Sequence, residues 1–177
     1  QKPLIFSTGM SNDSEIQKRI DWLNTKQANF TIMHCNSTYP APFEDIELPY
    51  ILRLKELTDK IGYSGHERGI AVSIAAVALG AQVIERHLTE DKSLEGPDHQ
   101  ASLTPDEFKQ MVDMSRQVCK AMQVHKDGFK SLSQGALLNR EVLGKSIIAS
   151  KDLKTGKTLS EADLEVRSPG QGLPPSE

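Results

Sequence analysis

Ile61-Gly-Tyr-Ser-Gly-His-Glu-Arg68 and Ala81-Gln-Val-Ile-Glu-Arg-His-Leu-Thr89 decide how this chain is read. Each is a short apolar run of strand length that reaches a histidine, His66 in the first and His87 in the second. They lie about one β/α unit apart, and the helix between them is rich in alanine (Ala71, Ala75, Ala76, Ala78), as close packing on a sheet requires. Parallel α/β architectures collect function at the C-terminal ends of their strands. Two imidazoles delivered there by consecutive strands can converge on one small volume, which makes a candidate metal site. Either histidine alone reads more readily as a hydrogen-bonded structural residue than as a ligand; the matched positions on neighbouring strands bring the functional reading level with it.

The same rhythm extends in both directions. Leu4-Ile-Phe-Ser-Thr8 and Phe30-Thr-Ile-Met-His34 read as two earlier buried strands. Between them, Asn12 with Glu15 three positions on reads as a capping box, and Ile16, Ile20 and Leu23 recur at helical spacing. Further helices are expected over about 47–59, with Pro49 in the first turn, and over about 68–79. Thr104-Pro-Asp-Glu107 starts a last helix, whose stripe of Phe108, Met111, Val112, Val118 and Met122 is expected to be buried up to about residue 124. Four β/α units in succession imply a parallel sheet with right-handed crossovers. Residues 125–141, rich in Lys, Ser and Gly, read as a linker with His125 at a helix end. Residues 142–177 read as a β-rich module that breaks off after Arg167-Ser-Pro-Gly.

Composition excludes little. Among the 177 residues the net charge is −3, which gives no electrostatic argument for nucleic acid or an anionic membrane surface. No apolar run approaches the length of a membrane span and no signal-peptide pattern opens the chain, so a cytoplasmic protein is expected. Cys35 and Cys119 fall in a strand-like and a helical run and are expected as buried free thiols. A chain that lacks an initiator Met and ends in Pro174-Pro-Ser-Glu177 is expected to be an excerpt from a longer one.

The polar residues cluster by position. Ser7 and Thr8 end the first strand, Ser37 and Tyr39 follow the second, Ser64 and His66 the third, and His87 ends the fourth, so all are expected on one rim. Small hydroxyls beside Gly9, Gly62 and Gly65 suit an anion such as phosphate, and singly would be caps or turn residues. Imidazoles suit a borderline divalent metal, with oxygen ligands completing its shell. Asp98, in a Gly-Pro-pinned loop, can bind hydroxyls of a polyol or form a simple Asx turn. His99 reads as a solvated loop residue, His34 as facing the sheet layer, and Glu85 with Arg86 as a structural pair on the strand's outer face.

The runs Ser7–Met10, His34–Pro42, Gly62–His66, Glu85–Thr89 and Gly96–Leu103, in this order and spacing, resemble the sialic acid synthase family. That family includes N-acetylneuraminate, legionaminate, pseudaminate and spore-coat polysaccharide enzymes. The resemblance implies an α/β fold: strands five to eight of a TIM (β/α)8 barrel over 1–124, a linker over 125–141, and a partial antifreeze-like (SAF) domain over 142–177. It implies His66 and His87 as ligands of a divalent metal, usually Mn2+, with Mg2+ or Co2+ as substitutes. It implies Ser7, Ser37, Ser64 and Tyr39 as holding phosphoenolpyruvate. Asp98 would contact an N-acylated sugar, with His87 close to that sugar too.

The implied reaction is attack of carbon 3 of phosphoenolpyruvate on the sugar aldehyde, addition of water at carbon 2, and loss of phosphate. A homodimer whose SAF domain caps the neighbouring barrel is also implied. Some positions depart from the pattern. Gly65 stands where many relatives have Asp, Ser37 where some have Asn, and Ser168 where relatives often have an Arg that reaches the partner's sugar, with Arg167 beside it. The family's Lys and Glu residues from the first half of the barrel have no counterpart, so this chain alone is expected to be inactive. The alternative is a catalytically silent half-barrel with SAF module, acting in binding or assembly.

Overall fold

The computed structural model describes residues 2–123 and 128–176, and His125 lies outside them. The chain divides into two compact units, 1–123 and 124–177.

The first unit is a four-stranded parallel sheet in the order β1 (Leu4–Ser7), β2 (Phe30–Cys35), β3 (Ile61–Gly65), β4 (Val83–Arg86). Sequence order and spatial order coincide, as right-handed β/α crossovers require. The registers Phe6↔Ile32↔Ile61 and His34↔Tyr63↔Ile84 set one face of the sheet. That face packs with the helices into the apolar core, where Ile32 and Tyr63 are almost fully enclosed. The alternate positions, Ser7, Met33, Cys35, Gly62, Ser64 and Glu85, share the opposite face. The sheet is open, and among the described residues β1 and β4 each pair on one side only. Leu4 and Ile5 are therefore about half exposed although apolar.

Helix α1 (Asp13–Thr25) begins at the expected capping box. The Asn12 side chain accepts from Glu15 N at 3.1 Å, and Asn12 N donates to the Glu15 carboxylate at 2.9 Å. Its Ile16, Ile20 and Leu23 are buried, each side chain contributing roughly 1.5–3 kcal/mol of transfer free energy. Two helices are shorter than the periodicity predicts. α2 (Tyr50–Leu57) starts after Pro49, because Glu47 has φ +49° and residues 43–45 close a separate 3-10 turn. α3 (Ala71–Ala78) starts after Gly69, whose φ of +78° breaks the helical path.

Helix α4 (Pro97–Ala101) is a short turn, and α5 (Pro105–Ala121) opens on the expected Thr104–Glu107 box. Of the stripe on α5 only Met111 is buried, Phe108, Val112 and Val118 are half-buried, and Met122 is exposed. α5 packs mainly on α3, and a groove lined by Val77, Ile84, Phe108, Met111 and Met122 stays open. The same lack of cover leaves Cys119 exposed rather than buried, whereas Cys35 is half-buried.

In the second unit, α6 (Gln134–Leu143), capped by Ser133, occupies the end of the stretch read as a linker and runs two residues into the β-rich module expected from 142. β5 (Ser146–Ala149) and β6 (Leu164–Arg167) pair antiparallel. The segment between them turns at Gly156 (φ +82°). Among the described residues no helix is long and apolar enough to cross a membrane.

Candidate functional site

Strand alternation delivers the site. Ser64 and His66 leave β3 on one face, and Glu85 and His87 leave β4 on the same face. The His66 and His87 rings meet edge to face, centroids 5.1 Å apart at 81°. Tyr39, from the loop after β2, lies over both, 4.2 Å from His66 and 5.6 Å from His87.

His66 is buried, and its Nδ1 lies 2.7 Å from the Asn36 carbonyl. A carbonyl only accepts, so Nδ1 carries the proton and a neutral His66 presents the Nε2 lone pair. Metal-binding histidines are commonly oriented in this way. His87 Nδ1 lies 3.7 Å from the exposed Asp98 carboxylate, too far for a hydrogen bond that would fix the ring. The two adjacent imidazoles fit a divalent metal as part of a ligand set. Among the described residues no group of three or more His, Cys, Asp or Glu could hold a metal ion, so any ion at this pair would need water or substrate oxygen to complete its shell.

Cys35, which was not singled out from sequence, stands at the centre of the rim. Its Sγ is 3.8 Å from both His66 Nδ1 and Ser37 Oγ. Burial alone pushes the thiol pKa up, but the hydrogen bonds to His66 and Ser37 outweigh it and the net shift is downward. Burial likewise pulls His66 down, and its contacts with Cys35 and the Asn36 carbonyl reverse this, so its pKa is raised. Tyr39 is pushed up, first by burial and then by negative charge on Cys35, Asp98 and Glu85.

The hydroxyls are distributed around this centre. Ser37 sits so close to Gly9 that a Cβ there would approach its Oγ to 2.2 Å, so the rim needs glycine. Ser7 is exposed at the end of β1 on the same face. Thr8 is buried and ties β1 to β2, donating to Met33 O and accepting from Cys35 N, both at 3.1 Å. Ser64 is buried, and its hydroxyl donates to Glu85 at 2.7 Å.

Several placements differ from the sequence reading. Glu85 and Arg86 are not a pair, because adjacent strand residues point to opposite faces. Glu85 faces the rim with Ser64, and Arg86 is buried on the helix side against Glu67. Asp98 lies in the first turn of α4 with its side chain 64% exposed, not in a buried turn. His99 is half-buried and bonded to Thr89 Oγ1 at 2.8 Å, which turns it away from the histidine pair. His34 faces the sheet layer as read. Its Nε2 contacts the Ile46 carbonyl at 2.6 Å, and burial lowers its pKa. Arg167 belongs to the second unit and pairs with Glu165 at 3.1 Å. The period of two along β3 and β4 carried the signal that would have placed Glu85 with Ser64.

A profile of the NeuB family matches residues 1–127. The N,N'-diacetyllegionaminic acid synthase of Campylobacter jejuni is 44% identical over 176 residues, covering 97% of this chain and 52% of that protein. The N-acetylneuraminate-9-phosphate synthase of Mus musculus is 38% identical over 179 residues, covering 99% and 49%. The N-acetylneuraminic acid synthetase of Leptospira borgpetersenii, crystallised with citrate, superimposes with a TM-score of 0.68 at 34% identity, over 77% of this chain and 48% of that one. The chain thus spans about half the length of the curated relatives it matches.

Proposed function

The chain belongs to the NeuB family, the sialic acid synthases, and from that membership we propose that it supplies half the active site of a cytoplasmic nonulosonate synthase. The reaction is condensation of phosphoenolpyruvate with an N-acylated mannosamine-type sugar, releasing phosphate. One observation carries the reading: His66, His87 and Tyr39 converge, with Cys35, Ser37 and Ser64 around them, at the C-terminal ends of the parallel strands.

His66 and His87 would hold a divalent ion, Mn2+ by preference, with the His66 ring oriented by the Asn36 carbonyl at its Nδ1. Such an ion would supply Lewis-acid polarisation of the sugar aldehyde, which carbon 3 of phosphoenolpyruvate attacks. Ser7, Ser37 and Tyr39 supply hydroxyl donors to the phosphate and carboxylate, stabilising charge as it moves to the departing phosphate. Ser64 joins them only after rotating its proton away from Glu85, because a hydroxyl has one hydrogen to donate. Asp98, exposed beside His87, accepts hydrogen bonds from sugar hydroxyls.

The second unit, with its β5–β6 ribbon, is an SAF module whose Arg167 reaches the sugar of a partner subunit in a homodimer. The 177 residues alone are inactive, since neutralising phosphoenolpyruvate needs cationic side chains, which this rim lacks among the described residues. The test is phosphate release by the full-length protein that carries this chain, given phosphoenolpyruvate with N-acetylmannosamine or with its 6-deoxy diamino analogues. Release that depends on one sugar and on Mn2+, and that is lost in His66→Ala and His87→Ala, is expected. No sugar-dependent release would leave the binding or assembly role instead.

A further inference from the structure

Beneath the histidine pair lies a second constellation, on the helix side of the sheet. Glu67 follows His66 and Arg86 precedes His87, and their fully enclosed side chains form an ion pair at 2.8 Å. Arg86 Nη1 also donates to the Gly69 carbonyl at 2.7 Å and to Ser73 Oγ at 3.0 Å. Its Nη2 donates to the Glu67 carbonyl and, at 3.2 Å, to the Ala101 carbonyl. The other Glu67 oxygen accepts from Tyr63 OH at 2.7 Å. One guanidinium thus joins the backbone just after His66, the start of α3, and α4, which carries Asp98. Gly65 makes the space: a Cβ there would lie 2.7 Å from both Glu67 Oε2 and the Tyr63 ring, and 3.0 Å from Arg86 Cδ.

We infer that the Glu67–Arg86 pair is a positioning device for the two-histidine site, fixing the separation and tilt of the His66 and His87 rings before any ligand arrives. The inference rests on the reading that these histidines hold a divalent metal. The argument is one of linkage. Each member of the pair is one peptide bond from one histidine; the His66 ring has the Asn36 carbonyl at its Nδ1, whereas the nearest polar contact of His87, Asp98 at 3.7 Å, is too long to fix its ring. Buried charges are strongly directional because misalignment leaves them uncompensated. A neutral pair of equal volume would fill the space without holding four segments in one geometry.

The test uses the full-length protein and the variants Glu67→Gln, Tyr63→Phe and Arg86→Lys, with folding checked by circular dichroism. Tyr63→Phe removes only the hydroxyl that aligns Glu67, so it remains informative if Glu67→Gln fails to fold. In the metal-free protein, the ring resonances of His66 and His87 should shift or broaden in each folded variant while those of His34 stay in place. With Mn2+ alone, measured by electron paramagnetic resonance, affinity should fall about 10- to 100-fold, the range for residues that orient metal ligands. Variants that melt earlier but keep both the histidine resonances and the Mn2+ affinity would overturn the positioning role. If the unmodified protein binds no Mn2+, or His66→Ala binds it equally well, the metal reading fails. Perturbed resonances in the metal-free variants would show that outcome to be a failure of the metal reading and not of the linkage.

Discussion

Replacing Arg86 by Met tests the buried pair as a source of stability. Both side chains are 0% exposed, so the substitution leaves the Glu67 carboxylate in the interior with only the Tyr63 hydroxyl as donor. Removing one partner of such a pair costs about 3–5 kcal/mol. With an unfolding entropy of about 2.1 cal/mol/K per residue, a loss of about 4 kcal/mol in a unit of roughly 120 residues lowers Tm by about 15 °C. The double variant Glu67→Leu/Arg86→Met removes the stranded charge and should recover part of the loss. Recovery is incomplete, because the Gly69 and Ala101 carbonyls lose the guanidinium donor, at about 1–3 kcal/mol for each buried group left unsatisfied. Urea unfolding followed by far-UV circular dichroism measures both variants. If Arg86→Met came within about 1 kcal/mol of the parent, well under the expected cost, the pair would not be the anchor described here.

Gly9→Ala should leave the fold intact, since the obstructing atom is the tip of Ser37, but displace that hydroxyl from the rim. The loss of one charge-assisted hydrogen bond, about 1.5–3 kcal/mol, predicts a KM for phosphoenolpyruvate at least tenfold higher, and an unchanged KM would remove Ser37 from the site. Asp163 is enclosed by Lys157, Ser160 and Lys151, which hold its carboxyl far below the usual carboxylate range. A folded pKa below the unfolded value of about 3.9 means its contribution to the second unit is complete above about pH 4 and lost as pH falls further. Carbon-13 titration of the Asp163 carboxyl checks this, and a midpoint near the unfolded value would contradict it. Expressed as 177 residues, the chain should self-associate through the unpaired edges of β1 and β4 and the open groove beside α5. Sedimentation as a single monomeric species would refute that.

Much of the fold was legible because its signals are local. The capping boxes at Asn12 and Thr104 and the strand-length apolar runs need no distant partner to be recognised. The elements that differed were decided by conformation or contact. Positive φ at Glu47 and Gly69 shortened two helices, and α5 found too little surface to bury Met122. In the site, the histidines could be placed from sequence because both end matched strands. Cys35 was overlooked because a half-buried strand cysteine has no local signature, and its role is visible only beside His66 and Ser37.

Sequence by itself determined the four-unit parallel order, the family and the delivery of His66 and His87 to one rim, since strand period and motif order are properties of the chain. Only the tertiary structure decided that Glu85 turns to Ser64 while Arg86 turns to Glu67. The two residues are adjacent in the chain, but a strand sends neighbours to opposite faces. Which partner waits on each face depends on register with β3 and on loops more than ten residues away.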